Sequence, residues 1–373
     1  MSKKILPVVR YVEQNAAMKR WNGKVKQRFC FHAGFWSVLV AGWGLLVSCA
    51  HGAPSASEVP AVGRQIEPKL PSGFQAAKPE CIEKTGPHVY IRLYARSFSQ
   101  GSAVYAEISP SISAGEERPE VTGAMFDGKP LPLSERPWGQ RTLFGIPPTT
   151  PIGQKIFSAA YRVGKAVYHE SVPIKVKATA FEYHPRPMDL GKYSDIDYRR
   201  SPEEERFIAE CAAKKKRVFA GWKPELLVKS FSHPRDMHVV TSTFWAQRFI
   251  MRYRVKKGRK IQFTPKMNAH RGIDLRGSKG DPVYAMADGE VVIAEPMYYE
   301  GNFVVIDHGQ RFFTYYMHLD QIKVKEGDRV TAGTLIGRVG STGLSTAAHL
   351  HVSAVIRDVD VDPMSLLMLP IKY

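Results

Sequence analysis

Cysteine is scarce, with four residues in a chain of 373. That is too few for a disulfide framework. Cys30 and Cys49 fall near the N-terminus, while Cys81 and Cys211 flank a whole domain, so a pairing between those two is left open. No C-x-x-C occurs, which leaves a thiolate zinc site without support. No H-E-x-x-H occurs either, so the glutamate base of the helical zinc proteases is absent. Acidic side chains are also in deficit, 35 against 53 Lys and Arg, for a formal net charge of +18. The expected partners are therefore acidic: nucleic acid, anionic lipid or anionic wall polymer. Eight Lys/Arg against Glu13 and Glu58 precede residue 60, and beyond Lys214-Lys215-Lys216-Arg217 no long basic block follows. Without a localised basic stripe, nucleic acid is not an expected partner.

The first 50 residues read as an export signal or membrane anchor. Lys19, Arg20, Lys24, Lys26 and Arg28 precede a mostly apolar run from Phe29 to Ala50, the layout of a targeting segment. Leu46-Val47-Ser48-Cys49 resembles the lipobox of bacterial lipoproteins. A small-x-small cleavage site at Ala50-His51-Gly52 and a retained helix of membrane-spanning length are the other two outcomes. Each leads to export to the cell envelope, and two of the three to membrane anchoring, by lipid or by helix.

Beyond the signal, residues 51–87 are rich in Pro, Ala, Ser and Gly and read as a linker. Residues 88–182 alternate short apolar runs with turns, as in Val89-Tyr90-Ile91-Arg92-Leu93-Tyr94, and predict a β-sandwich accessory domain. Residues 183–240 read as a connector with a helix near 202–216. Ser201 caps it, Pro202 takes the first helical position, and Glu204 completes a capping box. From residue 241 to 373 the pattern is strand-rich, with hairpin turns expected at Asp288-Gly289 and His308-Gly309. The fold class is mainly β, ending in a compact antiparallel domain.

That last segment holds His270, Asp274, His318, His349 and His351. A hydrolytic zinc ion needs three ligands from His, Asp, Glu or Cys and one position open for water. His349 and His351 are two apart, so on a strand both project from one face into one groove. His270 and Asp274 bracket Gly272, and His318 ends an aromatic strand. The five together can supply three ligands and leave two histidines for proton handling. His308 reads as a turn residue, and His88, His169 and His184 as isolated surface or turn residues.

The motifs run in a fixed order: His270-x-Gly272-Ile273-Asp274, Gly280-x-Pro282-Val283-x-Ala285, Gly301-Asn302-x-Val304, Thr314-x-Tyr316-x-His318-Leu319, Gly340-Ser341-Thr342-Gly343 and His349-Leu350-His351. Over about 85 residues this stretch resembles the lysostaphin-type (LytM-like) zinc metallo-endopeptidases of bacterial peptidoglycan. The resemblance implies an antiparallel β peptidase domain with a zinc groove and one zinc ion held by His270, Asp274 and His351. It makes His318 and His349 the pair that orients water and shuttles its proton. It implies peptidoglycan as substrate, and leaves regulatory protein partners open.

The chain departs from the family pattern at Ala347-Ala348, where Gly-Pro is usual. It also has no tyrosine in Gln262–Ala269, the stretch where some members carry an oxyanion donor. Two rivals were weighed. A non-catalytic regulator of other wall hydrolases would lack ligands, and here every position is filled. A lipoyl- or biotinyl-type carrier would leave the histidines unexplained.

Overall fold

The computed structural model describes residues 69–75, 77–111 and 117–373. The expected export signal over 1–50 and most of the expected linker lie outside the described residues. Among those described, no helix is long and apolar enough to cross a membrane.

The first layered unit is built from β1 (Glu80–Thr85), β2 (Val89–Ala95), β3 (Ala103–Pro110), β4 (Glu120–Phe126), β5 (Lys129–Leu131), β6 (Ser134–Arg136), β7 (Gly139–Gly145), β8 (Gly153–Val163) and β9 (Ala166–Val176). Alternation drives it: in β2 the odd-numbered residues are buried and the even-numbered ones half-buried, so one face seeks a core. Two antiparallel sheets result, ordered β1-β2-β3-β7-β6 and β5-β4-β8-β9. Val89, Ile91, Leu93, Phe144, Phe157 and Ile174 pack together between them. The expected linker to Pro87 is corrected here, because β1 begins at Glu80 and pairs with β2 along its whole length. Composition hid this edge strand. Its side chains barely alternate, and backbone hydrogen bonds to β2 define it instead.

The connector also does more than join. Its first strand, β10 (Tyr183–Met188), pairs in parallel with a strand of the C-terminal region. Helix α1 (Pro202–Ala220) starts with the expected capping box, Glu204 N–H donating to Ser201 Oγ at 3.1 Å and Ser201 N–H to Glu204 Oε2 at 3.1 Å. It runs to Ala220, beyond the expected Lys216. Cys211, Val218 and Phe219 on α1 pack with Ile293, Phe303 and Phe313.

The C-terminal region comprises β11 (Val240–Ser242), β12 (Gln247–Lys256), β13 (Arg259–Ala269), β14 (Ile273–Arg276), β15 (Pro282–Tyr284), β16 (Gly289–Met297), β17 (Gly301–Asp307) and β18 (Phe312–Leu319). It continues through β19 (Gln321–Ile322), β20 (Arg329–Val330), β21 (Leu335–Arg338), β22 (His349–Ile356), β23 (Val359–Val361) and a short α2 (Pro363–Leu366). The main sheet runs β11-β14-β22-β18-β17-β16-β20, with β23 on β22. A second sheet is β10-β12-β13 and a third β15-β21-β19. His308-Gly309 turns β17 into β18 as expected. Asp288-Gly289 does not make a hairpin, since β15 pairs with β21 across some fifty residues instead of with β16.

The sandwich is not a loose appendage. Tyr105 and Leu143 join one continuous core with Leu226, Ile356, Leu366 and Leu367. The buried Arg141 guanidinium donates to Leu226 O at 2.7 Å and Lys372 O at 2.9 Å. Cys81 is exposed and Cys211 buried on the core-facing side of α1, and both are free thiols.

Candidate metal centre

Strand register assembles the site. β14 pairs with β22 so that Asp274 stands opposite His351 and Arg276 opposite His349. On the other side of β22, Met317 of β18 stands opposite His351, which puts His318 one residue on. His270 precedes β14 by three residues and closes over the same point.

Three donor atoms converge. His270 Nε2 lies 3.0 Å from His351 Nδ1 and 3.1 Å from Asp274 Oδ1, and His351 Nδ1 lies 2.9 Å from Asp274 Oδ1. Around a tetrahedral zinc with bonds of about 2.0–2.1 Å, ligand atoms sit roughly 3.3 Å apart. The observed triangle is slightly tighter and near-equilateral, so the donor set fits such an ion. Among the described residues it is the one His/Cys/Asp/Glu cluster with this closeness.

The far side of each ligand is occupied, which fixes the lone pairs. His270 Nδ1 donates to Thr243 O at 2.9 Å, leaving Nε2 bare. Ser353 Oγ, 2.9 Å from His351 Nε2, is placed to accept from it, leaving Nδ1 bare. Arg248 donates to Asp274 Oδ2 at 2.6 Å and also to Ser242 Oγ. Burial alone would raise the Asp274 carboxyl. The Arg248 guanidinium opposes that, in an ion pair with Oδ2. Bare lone pairs crowded against a carboxylate are what a cation relieves.

The two remaining histidines flank this triangle. His318 Nδ1 donates to Thr342 O at 2.9 Å and His349 Nδ1 to Ala347 O at 2.8 Å. In a neutral ring of this tautomer, each leaves its Nε2 bare. The His349 Nε2 is 3.6 Å from Asp274 Oδ1, and the His318 and His349 ring centroids are 5.1 Å apart. Burial pulls the His318 imidazole down to about 4, so it is neutral near pH 7. His318 also holds a positive φ of +64°, a sparsely populated backbone state typical of functional positions.

All five residues expected from the sequence are thus brought together. The sequence reading missed Arg248, because its role depends on β12 crossing beside β14, and no motif marks it. His308 stays outside the site: its Nδ1 donates to Asp288 O and its Nε2 accepts from Thr314 Oγ1, both at 2.8 Å. The centre opens into a cavity of about 450 Å³ walled by Met188, Leu190, Ile250, Tyr299, Met317 and Leu344. The connector and β12 therefore supply part of its wall.

Residues 268–363 match the model of peptidase family M23. The chain carries an M23 peptidase domain. Its relatives include the peptidoglycan DD-endopeptidase ShyA of Vibrio cholerae, 42% identical over 27% of this chain and 24% of that protein. The glycyl-glycine endopeptidase ALE-1 of Staphylococcus capitis is 39% identical over 26% of this chain and 29% of that protein. Among solved structures, the catalytic domain of lysostaphin from Staphylococcus simulans is 37% identical over 27% of this chain and 80% of that chain, with a TM-score of 0.26. The chain spans about a quarter of the length of the two curated relatives named here. The M23 segment begins two residues before His270 and ends past His351, so it contains the whole donor set.

Proposed function

We propose that the protein is a zinc-dependent endopeptidase that hydrolyses peptide cross-links in bacterial cell-wall peptidoglycan. One observation carries this reading: three donor atoms within 3.1 Å of one another, with the rings of His318 and His349 beside them. The printed name of the peptidoglycan DD-endopeptidase relative supports the substrate class, and that of the glycyl-glycine endopeptidase supports an endopeptidase.

His270, Asp274 and His351 would hold the ion. When bound, zinc supplies Lewis-acid polarisation of the scissile carbonyl and acidification of the attacking water. His318 and His349 do the proton work. A neutral imidazole Nε2 accepts the proton from water and returns it to the leaving amine, and the carbonyls of Thr342 and Ala347 hold both rings in that tautomer. Arg248 and Ser353 keep the ligands aimed. The expected export and envelope anchoring belong to the same proposal, since this substrate lies outside the cytoplasmic membrane.

The test is incubation of purified protein with cell-wall sacculi, with and without a zinc chelator, and mass spectrometry of released fragments. Chelator-sensitive loss of peptide cross-links, absent in His349→Ala, is the expected result, and the fragments name the bond. Intact cross-links with stoichiometric zinc bound would overturn the reading.

A further inference from the structure

We infer that the groove continues into a subsite for a wall-peptide residue whose side chain ends in both an ammonium and a carboxylate, with Asp360 receiving the first and Arg271 the second. The inference rests on the endopeptidase reading above and narrows its substrate class.

Strand register lays out the groove floor. On β18, Met317, Tyr315 and Phe313 share one face by alternation, and His351, Ser353 and Val355 of β22 stand opposite them in that order. Val355 is in turn opposite Asp360 of β23. Four strand residues separate His351 from Val355, a run of about 13 Å. The floor thus leads from the metal centre to a second cavity, of about 240 Å³, walled by Phe219, Arg271, Arg311, Phe313, Asp358 and Asp360. Arg271 and Tyr315 line both cavities, so a peptide lying in the first can pass a side chain into the second.

Two opposite charges in this second cavity are open to a ligand. The Arg271 side chain is 70% exposed, and that of Asp360 keeps 14% of its surface exposed. Arg271 Nε stands 3.7 Å from Asp360 Oδ2, within ion-pair range but beyond a hydrogen bond. Among the described residues, no group donates a hydrogen bond to that carboxylate. The other pair differs. Arg311 Nη2 meets both Asp358 oxygens, at 2.8 and 2.9 Å, and its Nε donates to Phe219 O at 3.2 Å. That pair closes the far end of the cavity and has little left to offer.

A loose, exposed ion pair contributes little by itself. A ligand bearing the opposite two charges exchanges that one weak contact for two charge-assisted ones. An ammonium alone would leave the guanidinium unmatched, and a carboxylate alone would leave Asp360 so. Phe313, Tyr315 and Val355 give the methylene stem behind the charged end an apolar bed.

The test uses a cross-linked muropeptide from diaminopimelate-type walls, whose free diaminopimelyl side-chain end carries both charges. It is prepared in three forms: unmodified, amidated at that carboxylate, and acetylated at that amine. Each is titrated by calorimetry into the zinc-loaded full chain carrying His349→Ala. Amidation and acetylation should each weaken binding at least about fivefold. Arg271→Gln should erase the cost of amidation and keep that of acetylation, and Asp360→Asn should do the reverse. The same pattern should appear in KM with His349 intact. Binding indifferent to either modification overturns the inference. So does an equal loss by both variants on all three peptides, which would mark a structural pair. The peptide modifications need no substitution, so they decide the matter even where a variant fails to fold. A chain that binds none of the three forms and leaves sacculi intact sinks the functional reading as well, whereas cleavage blind to both modifications sinks this inference alone.

Discussion

Acid should weaken this fold through His308 in a measurable and removable way. The imidazole is completely buried, with both nitrogens used in its neutral form, by Asp288 O and Thr314 Oγ1. Burial pulls it down to about 4, against about 6.5 in an unfolded chain. Between those values the unfolded chain binds the extra proton, so the contribution to stability is complete above about pH 6.5 and is lost as pH falls towards 4. At about 1.4 kcal/mol per pH unit, the loss reaches about 2.5 kcal/mol by pH 4.5. That is a large share of a typical domain stability of about 5–15 kcal/mol. The assay is urea unfolding at pH 7.5, 6, 5 and 4.5 on the wild type and His308→Gln. A glutamine amide can donate to Asp288 O and accept from Thr314 Oγ1 without titrating. Both proteins share the same metal centre, so its own titration cancels in the difference. The wild-type curve should fall relative to the variant by about 2.5 kcal/mol over this range. Parallel profiles would refute the reasoning.

Two further changes follow from the same contacts. Ser353→Ala removes the acceptor for His351 Nε2. The ring loses the bond that keeps Nδ1 bare, and zinc affinity should drop about tenfold, read by competition with a chromogenic chelator. Gly309→Ala at the β17–β18 turn places a methyl 1.7 Å from Glu225 O at a φ of +86°. The chain must shift, and a loss of about 3 kcal/mol or more is expected, seen as a lower melting temperature; an unchanged one would show that the turn relaxes freely.

The sequence carried the five site residues because their geometry is local. His349 and His351 share a face by strand periodicity, and His270 and Asp274 lie within a single turn of chain. Antiparallel pairing of β14 with β22 then brings the two motifs together without help from elsewhere. What the sequence hid depends on distant pairings. Arg248 reaches Asp274 only because β12 runs beside the groove, and Asp360 faces Arg271 only because β23 folds back onto β22. β15 finds β21, not β16, so the Asp288-Gly289 turn signal was sound as a turn and wrong as a hairpin. β1 carries so little alternation that only its ladder with β2 reveals it. The free state of Cys81 and Cys211 was likewise beyond spacing alone, since one lies exposed on the sandwich edge and the other is buried on the core-facing side of α1.

The division of labour proposed for His270, His351 and His349 follows from distance to one oxygen. Asp274 Oδ1 lies 3.1 Å from His270 Nε2 and 2.9 Å from His351 Nδ1, but 3.6 Å from His349 Nε2. The first two can share an ion with it, while the third stands farther off. Yet His349 and His351 are neighbours on one strand face, so strand position does not separate their roles. Their ring orientation does. His349 ties Nδ1 back to Ala347 O and points Nε2 outward, whereas His351 uses Nε2 on Ser353 and turns Nδ1 to the centre. In the proposed mechanism, opposite tautomers two residues apart make one ligand and one base. The strained φ of His318 completes the set by bending the end of β18 so that its imidazole faces His349. A backbone relaxed at that residue would aim the ring elsewhere, which is why the bond from its N–H to Glu300 O matters to the chemistry as well as to the fold.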